Sequence, residues 1–424
     1  MKNLEYIDLK YKPKQWDVVA KFFVEPNDIS LKKACEHIAA ESSIGTWTDI
    51  ATMNPRIARK LKPKVFSIDH KTNEVKIAYP MELFEPGNMP QIYSAIAGNI
   101  FGMSAVKYLR LQDIGFPKKI LDSFKGPKFG IKGVRKLLRV KKRPLIGTIV
   151  KPKVGLRPKQ HANVAYDSWL GGLDIVKDDE NLASMSFNSF EKRIPATLRK
   201  RDRAERETGE KKMYMANVTA PVSEMLKRAK LVKENGGEYV MIDILTCGWS
   251  ALQELRDADL GMVIHAHRAG HAALTKIPVH GISMLTIAKT ARLIGVDQIH
   301  IGAIFGKMFE KEKEVKMTGE EIESQIITPK KGQHLLEQKW FNVPPVFAVC
   351  SGGLYPGRVP PLIDVMGNNI IIQAGGGTHG HPQGTYSGAK AMRQAVEASL
   401  QGIKLEEYAD LHLELKQALD RWGK

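Results

Sequence analysis

The sequence predicts an α/β protein: an N-terminal α+β domain of ferredoxin-like type, followed by a (β/α)8 TIM barrel. Three observations carry that expectation. From Pro144 onward, eight short apolar runs alternate with helical stretches, the rhythm of parallel βα units. Residues before about 117 mix strand-like and helix-like segments without that rhythm. No GxGxxG turn follows the first run of the regular region, as an open doubly wound sheet would normally show. The expected domains are 1–125, and 126–424 for the barrel with its C-terminal helices.

Each element has its own signal. Val18–Val24 reads as a strand, and Ser30 caps a helix through Leu31, Ala34, Ile38 and Ala39 that ends near Glu41. Val65–Ile68 and Val75–Pro80 read as a pair of strands, and Met89-Pro90 opens a helix with proline in its first turn. Lys118–Arg143 holds eleven basic residues and one acid, Asp122, broken by glycines and prolines. It reads as a solvated connector at a domain boundary. A polyanion-binding surface is the alternative, but no aromatic ladder or nucleic-acid motif accompanies it. The eight barrel strands are expected at Pro144–Val150, Leu173–Val176, Met213–Val218, Tyr239–Leu245, Met262–Ile264, Gln298–Ile301, Val346–Val349 and Ile370–Ile372. Helices such as Val222–Asn235 and Gly281–Ile294 lie between them.

Bulk properties narrow the function. At 424 residues, 43% hydrophobic and 26% charged, the chain is ordinary for a globular enzyme and excludes wholesale disorder. Met1–Lys14 carries no apolar core of signal-peptide length, and no run approaches the length of a membrane span. The three cysteines, Cys35, Cys247 and Cys350, are far apart and form no CxxC pair, which points to a reducing cytoplasm. The net charge of +18 calls for an anionic partner. Without a nucleic-acid motif or membrane segment, a small anionic substrate fits it.

Leu173–Glu180, Leu-Asp-Ile-Val-Lys-Asp-Asp-Glu, is the most informative stretch. Strand alternation puts Lys177 and Asp179 on one side, and Glu180 joins them if the chain turns. An ammonium repels a metal. Lys177 could join a hard-cation site only as an anion, which carbamylation by CO2 would make of it. By itself the segment fits a structural ion pair as well as a metal site. Further polar residues gather at strand ends, where barrel enzymes keep their chemistry. Lys151 and Lys153 follow the first strand; His265, His267 and Arg268 the fifth; His300 lies in the sixth, with Lys307 beyond it. Ser351-Gly352-Gly353 follows the seventh and Gly375-Gly376-Gly377 the eighth, glycine loops suited to holding phosphate on backbone N–H groups. His379 and His381 form an H-x-H pair without a further nearby ligand.

In register, these residues resemble the large subunit of ribulose-1,5-bisphosphate carboxylase/oxygenase (RuBisCO), in particular its archaeal form III branch. The motifs are Glu41–Thr48, Gly98–Gly102, Gly147–Leu156, Gly171–Asn181, His265–Arg268, Gly306-Lys307, Ser351–Gly353 and Gln373–Gly377. The resemblance implies conversion of ribulose 1,5-bisphosphate, CO2 and water to two 3-phosphoglycerate, with O2 competing, through an enediolate. It implies Mg2+ held by carbamylated Lys177, Asp179 and Glu180. Lys151, His267, Lys307, Glu41 and Asn99 would act in catalysis alongside Lys177. Thr46, Trp47, Lys153, Arg268, His300, Ser351, Gly352, Gly353, Gln373, Gly375 and Gly376 would bind substrate. Glu41, Thr46, Trp47 and Asn99 would reach a neighbouring subunit's barrel, making a homodimer or ring of dimers without small subunits. The alternative within the same resemblance is an enolase or isomerase acting on a related sugar phosphate. Three departures stand out: Ala303–Glu310 in the loop after strand six, Gly270 where a larger residue is usual, and Tyr355 where histidine is common.

Overall fold

The computed structural model describes residues 4–48, 50–305, 311–329 and 336–423. The chain divides into two compact units. The first joins Met1–Gly126 to Gly270–Ile294 and Ser324–Val343; the second joins Pro127–Ala269, Gly295–Glu323 and Pro344–Lys424.

The first unit is built on a five-stranded sheet in the order Gly281–Ile282, Val106–Gly115, Val18–Pro26, Glu74–Tyr79, Lys64–Asp69. Its pairings are antiparallel except the outermost, Gly281–Ile282 against Val106–Gly115. Ser30 caps helix Leu31–Glu41 by accepting from Lys33 N, and the helix buries Leu31, Ala34, Cys35, Ile38 and Ala39. The interior strand Val106–Gly115 carries Arg110 and Asp113, which blur its apolar alternation. Both are buried with partners: Arg110 Nη1 donates to Thr275 O at 3.0 Å, and Lys289 Nζ donates to Asp113 at 2.8 Å. Gly281–Ile294, expected as one helix, begins instead with that edge strand and turns helical at Met284. Gly281 makes the transition at φ +97°, where a Cβ would stand 2.1 Å from Leu274 O.

The second unit is a closed barrel of eight parallel strands. In chain order they are Leu145–Ile149, Ile175–Lys177, Met213–Asn217, Tyr239–Asp243, Val263–His267, Gln298–His300, Phe347–Ser351 and Ile370–Gln373. Each falls on an expected run, within a few residues at the ends. Helix Gly130–Leu138 closes the barrel's base. Its Ile131, Val134 and Leu138 pack with Leu145, Ile175, Met213, Tyr239, Val263 and Phe347, the first residues of six strands. The basic stretch Lys118–Arg143 is therefore more than a connector. Lys132 and Lys136 do face solvent, but Ile131, Val134 and Leu138 on the buried face form the stopper.

Candidate active site

At the opposite, C-terminal ends of the strands the charged residues converge. Lys177 ends the second strand and is 1% exposed. Its Nζ donates to the Asp178 carbonyl at 2.8 Å, rests 3.1 Å from Met241 Sδ and lies 3.5 Å from Glu180 Oε2. Burial drives its pKa down, against the pull of Glu180 and Asp179. Lys151, at the end of the first strand, pairs with Asp179 Oδ2 at 2.7 Å. The other Asp179 oxygen accepts from Asn181 N at 3.2 Å and Asn181 Nδ2 at 3.0 Å. Burial opposes ionisation of Asp179 and Glu180, yet both are held below the ordinary carboxylate range. Lys151 outweighs it for Asp179, and Lys177 and His267 do so for Glu180. Lys153 approaches Glu180 Oε1 at 3.9 Å.

Asp178 takes the other side of the strand, as alternation requires. It accepts from Tyr214 Oη at 2.5 Å, Arg193 Nε at 3.3 Å and Asn217 N at 3.0 Å, while His161 Nε2 lies 3.0 Å away. Burial works against its charge, but Arg193 and His161 hold the carboxyl well below the usual range. This buried anchor fixes the turn that presents Asp179 and Glu180. Those two carboxylates, with Lys177 Nζ 3.5 Å from Glu180 Oε2, are the groups able to hold a hard cation. Among the described residues no three His, Cys, Asp or Glu side chains are arranged as a metal site.

A histidine cluster forms the adjacent wall. His267 faces Glu180 Oε2 with Nε2 at 3.6 Å and Asp243 Oδ1 with Nδ1 at 2.5 Å. The His300 ring lies 4.9 Å from that of His267 and 4.7 Å from that of His265. His300 Nδ1 meets Ser351 Oγ at 2.7 Å, while its buried Nε2 has no partner among the described residues. Burial, then the neighbouring positive groups, pushes both His265 and His300 well below the ordinary imidazole value. Arg268 is close enough to contribute to the His300 shift.

The glycine loops complete this mouth. Gly352 and Gly353 adopt φ +118° and +91°. A Cβ on Gly375 would press on Lys151 Cε at 3.1 Å, and one on Gly376 would meet open space, so an anion can approach the backbone there. Gln373, beside Ser351 in the register, is buried, and its Oε1 has no partner among the described residues. The H-x-H pair is structural. His379 meets Thr148 and Thr385, each at 3.0 Å, and His381 meets Glu414 O at 2.9 Å.

Glu41, Thr46, Trp47 and Asn99 belong to the first unit. There Asn99 Nδ2 donates to Glu41 Oε1 at 3.4 Å, and Trp47 is 88% exposed. Gly306 and Lys307 lie outside the described residues. Asp243 was not anticipated from sequence. Its signal was present nonetheless, a lone acid closing the apolar run Tyr239–Ile242 at a barrel strand end.

Residues 5–120 match the family model for the ribulose bisphosphate carboxylase large chain, N-terminal domain, and residues 130–422 match the model for its catalytic domain. The chain belongs to the RuBisCO large-chain family. It is 52% identical to the ribulose bisphosphate carboxylase of Methanosarcina mazei over 99% of both chains. With that of Methanocaldococcus jannaschii it shares 51%, over 99% of this chain and all of the other. The structure of the dimeric archaeal RuBisCO from Hyperthermus butylicus matches with TM-score 0.93 and 48% identity over 99% of both chains. The octameric RuBisCO of Pyrococcus horikoshii matches with TM-score 0.92 and 47% identity, over 99% of this chain and 98% of the other. The eight-stranded barrel and the N-terminal α+β unit are those of a RuBisCO-type enzyme.

Proposed function

We propose that the chain carboxylates ribulose 1,5-bisphosphate, yielding two 3-phosphoglycerate, with O2 as a competing co-substrate. The observation that carries this is the buried Lys177 amine, 3.5 Å from Glu180 at a strand end where Asp179 stands beside it. Burial favours the uncharged amine, which is the form that attacks CO2. A nitrogen–carbon bond forms, a proton leaves, and Lys177 becomes a carbamate. The carbamate would then add a third hard oxygen donor to the two carboxylates, a set suited to Mg2+. When bound, Mg2+ would polarise the sugar's C2 carbonyl and C3 hydroxyl and so acidify the C3 proton.

The chain's own residues supply the rest. The carbamate oxygen takes the C3 proton, and the enediolate carbon C2 attacks CO2. His267, braced by Asp243, moves protons at the hydroxyls. Lys307 stabilises the new carboxylate. After hydration and C2–C3 cleavage, Lys151 protonates the departing carbanion. Arg268 and His300, whose Nε2 has no partner among the described residues, hold one phosphate; Gly375 and Gly376, with Thr46 and Trp47 of a second copy, receive the other, and Lys153 also binds substrate. Ser351 contacts a sugar hydroxyl, with Gly352, Gly353 and Gln373 shaping that wall. Glu41, Thr46, Trp47 and Asn99 serve the barrel of a second copy, so the working unit is a homodimer or a ring of dimers without small subunits.

The test is incubation with Mg2+, 14C-bicarbonate and ribulose bisphosphate. Acid-stable label should appear in 3-phosphoglycerate. Deuterium exchange at C3 without incorporated label would replace carboxylation with enolisation alone.

A further inference from the structure

The last helix of the chain braces both glycine loops of the barrel mouth. Gly377 lies so close to the loop after the seventh strand that a Cβ on it would stand 2.3 Å from Leu354 O and 2.7 Å from Tyr355 Cα. The Tyr355 ring packs on Trp422, with centroids 6.2 Å apart and planes inclined by 39°. The same indole covers Gly380, where a Cβ would meet Trp422 Cζ2 at 3.3 Å. Cations cap both rings: the Arg358 guanidinium lies 5.4 Å from the centre of Tyr355, and that of Arg421 lies 5.6 Å from Trp422. Helix Leu413–Trp422 is itself tied down at its start. His381 Nε2 donates to Glu414 O at 2.9 Å, and the Glu414 carboxylate accepts from Lys390 Nζ at 2.7 Å and Gln394 Nε2 at 2.9 Å.

Ser351–Gly353 and Gly375–Gly377 are nearly free of side chains that could lock them. Glycine backbone has the most freedom to lose, and an anion cradle made of N–H groups binds well only when it is already shaped. The rigidity has to come from outside the loops. We propose that Trp422 is a positioning residue: through Tyr355 and Gly380 it holds the two glycine loops at a fixed separation, and so sets affinity for the substrate's phosphate and adjoining hydroxyls. This rests on the carboxylase reading above. It also gives a role to Tyr355, one of the departures from the family pattern.

The experiment compares wild type with Trp422→Leu, Tyr355→Leu, the double variant and Trp422→Phe. It measures KM and kcat for ribulose bisphosphate, Tm, and the rise in Tm caused by inorganic phosphate. Each Leu variant should raise KM about tenfold with kcat within about twofold, the pattern of lost ground-state positioning. Each should also blunt the phosphate-dependent rise in Tm. Trp422→Phe should stay near wild type, and the double variant should be no worse than Trp422→Leu, since Tyr355 acts through its contact with Trp422. A lower ligand-free Tm with unchanged KM and an unchanged phosphate response would overturn the proposal, because it describes a merely structural tail. If Trp422→Leu does not fold, the Tyr355→Leu comparison decides alone. A wild-type chain that responds to phosphate but never carboxylates would end the carboxylase reading, while the phosphate responses of the variants would still judge the brace.

Discussion

Lys177 illustrates how one side chain's environment decides its chemistry. On a solvated surface its amine would stay charged and pair with the nearest acid. Here burial weakens the charged form, against the pull of Glu180 and Asp179. Lys177→Ala should abolish CO2- and Mg2+-dependent activation and lower carboxylation by about a thousandfold or more, measured by label incorporation after preincubation with both. Asp174, in the same segment, has the opposite task. It accepts from Arg143 through both oxygens at 2.6 Å and from Ile146 N at 2.9 Å. Burial opposes its charge, but Arg143 outweighs it and the pKa falls. A depressed carboxyl stabilises the fold above its unfolded pKa, near 4, and that contribution disappears as pH falls through the folded value. Asp174→Asn should therefore cost about 3 kcal/mol at neutral pH and flatten the loss of stability below about pH 4, read from urea melts across pH. The Lys177, Asp179 and Glu180 cluster was legible because alternation and a strand end suffice to place it. Asp178 was not separable from its neighbours in the sequence, since its partners His161, Arg193 and Tyr214 come from three other elements.

At the scale of elements, the sequence revealed whatever repeats and obscured whatever is solved by long-range pairing. All eight barrel strands were visible because strands covered on both faces are continuous apolar runs. Strand Val106–Gly115 was hidden because Arg110 and Asp113 look like surface residues until Thr275 and Lys289 are brought to them. Helix Gly130–Leu138 was masked by its lysines, although Ile131, Val134 and Leu138 recur at helical spacing. That helix invites a direct test. Leu138 is 2% exposed in the base of the barrel, so Leu138→Ala should destabilise the chain by about 2–5 kcal/mol in urea unfolding. The glycine loops and the Lys177 turn lie at the other end of the strands, so kcat of the folded fraction should hold.

For the whole molecule, the proposed sharing of sites between copies makes a quantitative prediction. Lys177→Ala leaves the first unit intact, and Glu41→Gln leaves the barrel intact. If sites are shared across a two-fold dimer, unfolding and refolding the two inactive variants together should restore about one quarter of wild-type activity, since half the dimers are mixed and each has one sound site. No recovery, with mixed dimers demonstrated, would place Glu41 in its own chain's site.

The interleaving of the two units has a consequence for recombination. The segment between the fifth and sixth barrel strands supplies an edge strand and Lys289 to the first unit's sheet. A chimera that swapped only codons 1–126 with a homologue would graft a foreign sheet onto a resident edge and set whatever residue the homologue carries at position 113 against the resident Lys289 ammonium. Such hybrids should fold only when residues 270–294 and 324–343 travel along, so the three segments of the first unit have to be exchanged together.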